Sequence, residues 1–156
     1  MMDMVLPPPT TSLHQASNVT IFQQKDCYVD PNSSVHCEYP QNQLLEGNDS
    51  MSPSSVEITL GQGTIIHPYA KLIIIVPPIR SISNSNRSDN AVIKVAIGMY
   101  NVFEEQSTVK MDSTVCLEDN TNETLTLIGN YNTFGPKCSV VDLSSIGSDN
   151  SFEAYC

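Results

Sequence analysis

Tryptophan is absent from this chain, basic residues are few, and no apolar run is long. Each shortage excludes something. Seven Lys and Arg stand against 17 Asp and Glu, a formal net charge of −10. Nucleic acid and anionic membranes are therefore poor partners, and a basic protein surface would be a good one. The longest apolar run, Leu72 to Val76, is far shorter than the roughly 20 residues a bilayer-spanning helix needs, so no direct membrane insertion is expected. The start, MMDMVLPPPTT, has neither a basic region nor an apolar stretch of signal-peptide length, which leads us to expect a protein of the cytoplasm. The five cysteines (27, 37, 116, 138 and 156) are odd in number and form no Cys-x-x-Cys pair, so they read as free thiols and not as a zinc site. Asn-x-Ser/Thr triplets at Asn18, Asn32, Asn48, Asn86 and Asn122 are expected by chance in so Asn- and Ser-rich a chain.

What is present is a repeat of six. Large apolar residues recur at Leu60, Ile66 and Leu72, and again at Ile97, Phe103, Val109 and Val115. A third block runs Ile128, Phe134, Val140, Ile146 and Phe152, and Val29 and Val35 hold the phase upstream. Four residues on come small or polar side chains: Ser33, Thr64, Ala70, Asn101, Ser107, Ser113, Asn132, Cys138, Ser144, Asn150 and Cys156. Six suits neither an α-helix nor a flat strand. It suits a parallel β-helix, in which each hexad supplies one short strand and one corner. Three hexads then make a coil of about eighteen residues, with the large residue inside and the small one where two sides converge. Coils stack at the strand spacing of about 4.8 Å. Like residues then lie over like: Asn132 over Asn150, and Cys138 over Cys156 as two inward thiols.

These patterns predict an all-β, single-stranded parallel β-helix of about four to five coils with long corner loops. Leu60 and Ile97 are 37 apart and Ile97 and Ile128 are 31 apart, neither a multiple of six. Polar, turn-rich segments at 40–56, 77–92 and 116–126 absorb the slips. Residues 1–26 carry no hexad phase and begin with Pro7-Pro8-Pro9, so they read as a flexible tail before a domain over 27–156.

Several stretches, in order from residue 28 onward, resemble a family. They are YVDPNSSVHCE (28–38), GTIIHPYAKLI (63–73), IGMYNVFEEQSTV (97–109), IGNYNTFGPKCSV (128–140) and IGSDNSFEAYC (146–156). They are similar to the dynactin subunit 6 family, the left-handed, hexapeptide-repeat β-helix subunits at the pointed end of dynactin. The resemblance implies the left hand. It also implies a non-catalytic structural and adaptor role supporting dynein-driven transport along microtubules and cargo binding. The implied partners are dynactin subunit 5, dynactin subunit 4 and the pointed-end actin-related protein. The family continues beyond the point matched by Cys156, so a truncated form is expected.

Enzymes of the same architecture were weighed against the residues. Carbonic anhydrases of this type hold zinc with three His, two of them as His-x4-His; this chain has only His14, His36 and His67, and no such pair. His36 and His67 share a hexad phase and would stack one coil apart. An acyltransferase needs a His base, for which His67 is the nominee, with Glu57 its closest acid in sequence. We expect neither activity, no cofactor and no metal. The candidate partner-binding residues lie elsewhere. Tyr69, Tyr100 and Tyr131 share the third position after a large residue and predict an aromatic stripe. Glu104 and Glu105 form an acidic pair suited to a basic partner surface.

Overall fold

The computed structural model describes residues 18–38, 55–76, 92–113 and 124–156. They form strands in three parallel sheets and no helix. The first sheet holds β1 (Asn18–Gln23), β4 (Ser55–Leu60), β7 (Val92–Ile97) and β10 (Leu125–Ile128). The second holds β2 (Tyr28–Val29), β5 (Ile65–Ile66), β8 (Val102–Phe103), β11 (Thr133–Phe134) and β13 (Ser151–Phe152). The third holds β3 (Ser34–Glu38), β6 (Lys71–Ile75), β9 (Thr108–Asp112) and β12 (Ser139–Leu143). The chain visits the three sheets in turn and returns to each one level further on. This is a β-helix-like parallel β fold.

The hexad sets the register. Val29, Ile66, Phe103, Phe134 and Phe152 pair in one column, and Val35, Leu72, Val109 and Val140 in another. Nearly all of these large residues point inward and join a single buried cluster. Phe103, Phe134 and Phe152 stack face to face, with centroids 4.8 and 5.0 Å apart. Alternation along the longer strands follows the pleat: β4 reads half-buried, buried, half-buried, buried from Ser55 onward.

The small residue also lands where the hexad requires. At the corner between the first and second sheets, Asn101 and Asn132 are fully buried, and their side chains form a ladder that Asn150 extends. Asn101 Nδ2 donates to the Gly98 and Gly129 carbonyls at 2.9 and 2.8 Å. Thr64 Oγ1 serves the same corner one level away, donating to the Gly98 carbonyl at 3.0 Å. At the corner between the second and third sheets the backbone stacks Ala70, Ser107, Cys138 and Cys156 in one column. Ser107 fits there by size alone, since its buried Oγ has no hydrogen-bond partner. The four cysteines among the described residues are free thiols.

Three expectations need correction. Asn18–Gln23 is not tail but strand β1, paired in register with Ser55–Leu60. Its phase was hidden because Gln23, a polar residue, occupies the place that Leu60 and Ile97 hold in the next two levels. Residues 1–17 lie outside the described residues. The loops are shorter than expected at their ends: Ser55, Val56, Val92, Leu125 and Thr126 all belong to strands, and Val56 is buried. The remainder of those loops, at 40–54, 77–91 and 116–123, lies outside the described residues, as does Val115 of the apolar phase. All three segments run from the third sheet to the first, so one corner takes every insertion. Where the chain turns that corner without one, Ile128 bridges Ile146 at the bare period of 18. His36 and His67, finally, do not stack.

Candidate docking and relay sites

The corner between the first and second sheets is built by the third residue after each large one. Gly63, Tyr100, Tyr131 and Asp149 occupy that place, all with positive φ. Left-handed backbone is uncommon for residues other than glycine. Here it recurs at Gln106, Lys137 and Tyr155 of the next corner as well, so it belongs to the corner geometry and not to tyrosine. The conformation throws each side chain outward. Tyr100 and Tyr131 stack with ring centroids 5.3 Å apart and planes 13° from parallel. The Tyr100 ring also lies over Gly63, where an added Cβ would meet Cδ1 at 2.4 Å. A glycine is therefore required at 63 both by its φ of 71° and by the ring above it. The result is a stacked aromatic pair with much of each ring in solvent.

Tyr69 does not join this pair. It sits at the other corner, between β5 and β6, where its N–H donates to the Asn32 carbonyl and the Gln106 N–H donates to the neighbouring Pro68 carbonyl. The six-residue phase fixes a residue's place within a hexad but not which of three corners that hexad makes. Glu104 and Glu105 lie at Tyr69's corner, Glu104 half-buried and Glu105 exposed. The five candidates thus divide into Tyr100 with Tyr131 at one corner, and Tyr69 with Glu104 and Glu105 at another. Lys137 and Tyr155 continue the second corner, with Lys137 Nζ 5.4 Å from the Tyr155 ring centroid.

His36 pairs in register with Ile73, whereas His67 follows β5 and donates its N–H to the Phe103 carbonyl. They lie on different parts of the surface because successive levels here are 37 residues apart, not 31. His14 is outside the described residues. Among the described residues no three His, Cys, Asp or Glu side chains group as metal ligands would.

His36 instead anchors a row the hexad pattern passed over. Ser34, His36 and Glu38 alternate along β3, so all three face outward on the third sheet. Ser34 Oγ lies 2.8 Å from His36 Nδ1, and His36 Nε2 lies 3.1 Å from Glu38 Oε1. Lys110 Nζ, two strands away on β9, approaches Glu38 Oε2 at 3.6 Å. The signal available in sequence was Ser-x-His-x-Glu on a strand, where residues two apart share a face.

Two thiols and one phenol are perturbed. Burial pushes the Cys37 thiol up to about 12. Cys138 is also pushed up to about 12, first by burial and then by a hydrogen bond with Cys156 and that thiol's charge. Tyr28 is raised by its hydrogen bond to Asp30, at 3.0 Å, and by the carboxylate's charge. No protein-family model, no curated protein and no solved structure matches the chain.

Proposed function

We propose that the chain is a single-stranded, left-handed β-helix of four to five coils that serves as a structural and adaptor subunit at the pointed end of dynactin. In this role it works in the cytoplasm, on the cytoskeleton, supporting dynein-driven transport and cargo binding. Its partners there are dynactin subunit 5, dynactin subunit 4 and the pointed-end actin-related protein, and the role requires no catalysis. The hand and the complex come from the resemblance of the stretches at 28–38, 63–73, 97–109, 128–140 and 146–156. The observation that carries a docking role is the Tyr100–Tyr131 pair, two stacked, solvent-exposed rings at one corner. Tyrosine supplies large contact area with few rotatable bonds to immobilise, which is why it anchors interfaces. The net charge of −10 and the exposed Glu105 favour a partner with a basic face.

The test is a mass determination in solution, alone and mixed with dynactin subunit 5, with metal content read on the same sample. A metal-free one-to-one complex is the expected result. A homotrimer carrying about one zinc per chain would replace the proposal with an enzyme of the β-helix carbonic anhydrase type. Within the complex, Tyr100→Ala should weaken affinity by roughly tenfold or more while leaving thermal unfolding nearly unchanged. Equal affinity would remove the tyrosine pair from the interface.

A further inference from the structure

We propose that Ser34, His36 and Glu38 form a nucleophile–base–carboxylate relay that accepts acyl groups from small aliphatic esters. This goes beyond the docking role and does not rest on it.

The direction of the hydrogen bonds follows from the groups themselves. An ionised Glu38 can only accept, so the proton between it and His36 sits on Nε2. Nδ1 of the neutral ring then carries the lone pair, and it is Ser34 O–H that donates to it at 2.8 Å. This is the arrangement a serine nucleophile needs: a base within reach of its proton and a carboxylate that fixes the tautomer of the base. Lys110 holds the second oxygen of Glu38, so the carboxylate is anchored at both ends. The partners lie on consecutive same-face positions of one strand, which sets their spacing without a loop.

The surroundings suit an acyl ester. In register on β6, Lys71 lies beside Ser34, Ile73 beside His36 and Ile75 beside Glu38. The two half-buried isoleucines offer an apolar strip for an acyl chain. Ser34 N–H donates to the Ala70 carbonyl, and in a parallel ladder alternate residues face the same neighbour. The Val35 N–H therefore points to the other edge of β3, with which no strand pairs among the described residues. It stands next in sequence to the nucleophile and can receive the developing oxyanion from that edge.

The step balances without a cofactor. Ser34 Oγ attacks the ester carbonyl carbon as its proton passes to His36 Nδ1. The C–O bond to the alcohol breaks, and the alcohol leaves with that proton. Water then adds to the acyl-serine, losing its proton to Nδ1, and Ser34 departs with it. The sum is ester plus water giving acid plus alcohol.

The full chain is treated with a fluorophosphonate probe, and with p-nitrophenyl acetate, and the adducts are located by peptide mass spectrometry. Ser139 is the internal control. It is exposed in the same outward column of the third sheet and has no such relay. We expect adducts on Ser34 and not on Ser139, and a nitrophenolate burst that Ser34→Ala abolishes. His36→Gln should slow Ser34 labelling by about a hundredfold or more. Labelling of Ser34 no faster than Ser139 overturns the proposal, as does a labelling rate that His36→Gln leaves unchanged. The Ser34 and Ser139 comparison is made within one parent chain, so it does not depend on any variant folding.

Discussion

Asn132 is the middle rung of the asparagine ladder at the corner between the first and second sheets. Its Nδ2 donates to Asn101 Oδ1 at 3.0 Å and to the Gly147 carbonyl at 2.8 Å. Its Oδ1 accepts from Asn150 N and Nδ2, both at 3.0 Å. The side chain thus ties three levels of the corner together where no water reaches it, being fully buried. Corner backbone cannot satisfy itself as a straight ladder does, and an unmade hydrogen bond in such a place costs more than a made one contributes. Asn132→Ala should therefore cost about 2–4 kcal/mol, read as a lower urea midpoint at an unchanged slope. Asn150 makes similar bonds but is exposed, so water can replace its partners and Asn150→Ala should cost clearly less. Equal midpoints for the two variants would show that burial does not set the value of the ladder.

The turn elements are joined by glycines whose role is clearance along the stack. A Cβ on Gly61 would meet the Gly98 backbone at 2.4 Å, and one on Gly98 would meet the Gly129 carbonyl at 2.4 Å. A Cβ on Gly129 would meet the Gly147 backbone at 2.8 Å, but one on Gly147 meets nothing closer than 3.9 Å. Each clash points to the next level, and Gly147 has no described level beyond it. Gly98→Ala should accordingly lower the melting temperature by several degrees or prevent folding, while Gly147→Ala leaves it within a degree or two. Similar melting temperatures would mean that the turns yield to a methyl group. The inward apolar residues and the asparagine ladder were both legible in sequence, because one residue in six carries each constraint. What escaped was of two kinds. Strand β1 was missed because Gln23 breaks the apolar phase. Tyr69 was grouped with Tyr100 because phase within a hexad is blind to which corner is being turned, and insertions of unknown length hide the count. The Ser34–His36–Glu38 row was passed over for a related reason. A hexad search attends to the inward residue, whereas that row lies on the outward positions of β3, where period two and not six is the signal.

For the molecule as a whole, two enclosed thiols in different columns make alkaline pH a structural variable. Cys37 and Cys138 are buried, and burial of each thiol is the main reason it is pushed from its ordinary 9.0 up to about 12. The unfolded chain has no such protection and releases both protons near the ordinary value. Below about 9 folded and unfolded chains bind these protons equally, and the two thiols add no pH dependence. Between about 9 and about 12 the unfolded chain binds fewer, so stability falls as pH rises. The limiting slope is about 1.4 kcal/mol per pH unit for each thiol, and Cys138 falls short of it to the extent that Cys156 shares its titration. Tyr28, also raised, acts in the same direction, but it is exposed and water screens its interaction with Asp30. Urea midpoints measured from pH 8 to pH 11 should therefore be level at first and then decline. The decline should flatten in a chain carrying Cys37→Ala and Cys138→Ala together, even though that chain starts from a lower midpoint. A decline of the same steepness in both chains would place the alkaline sensitivity outside the two thiols, and would show that their burial leaves the folded state no reluctance to ionise.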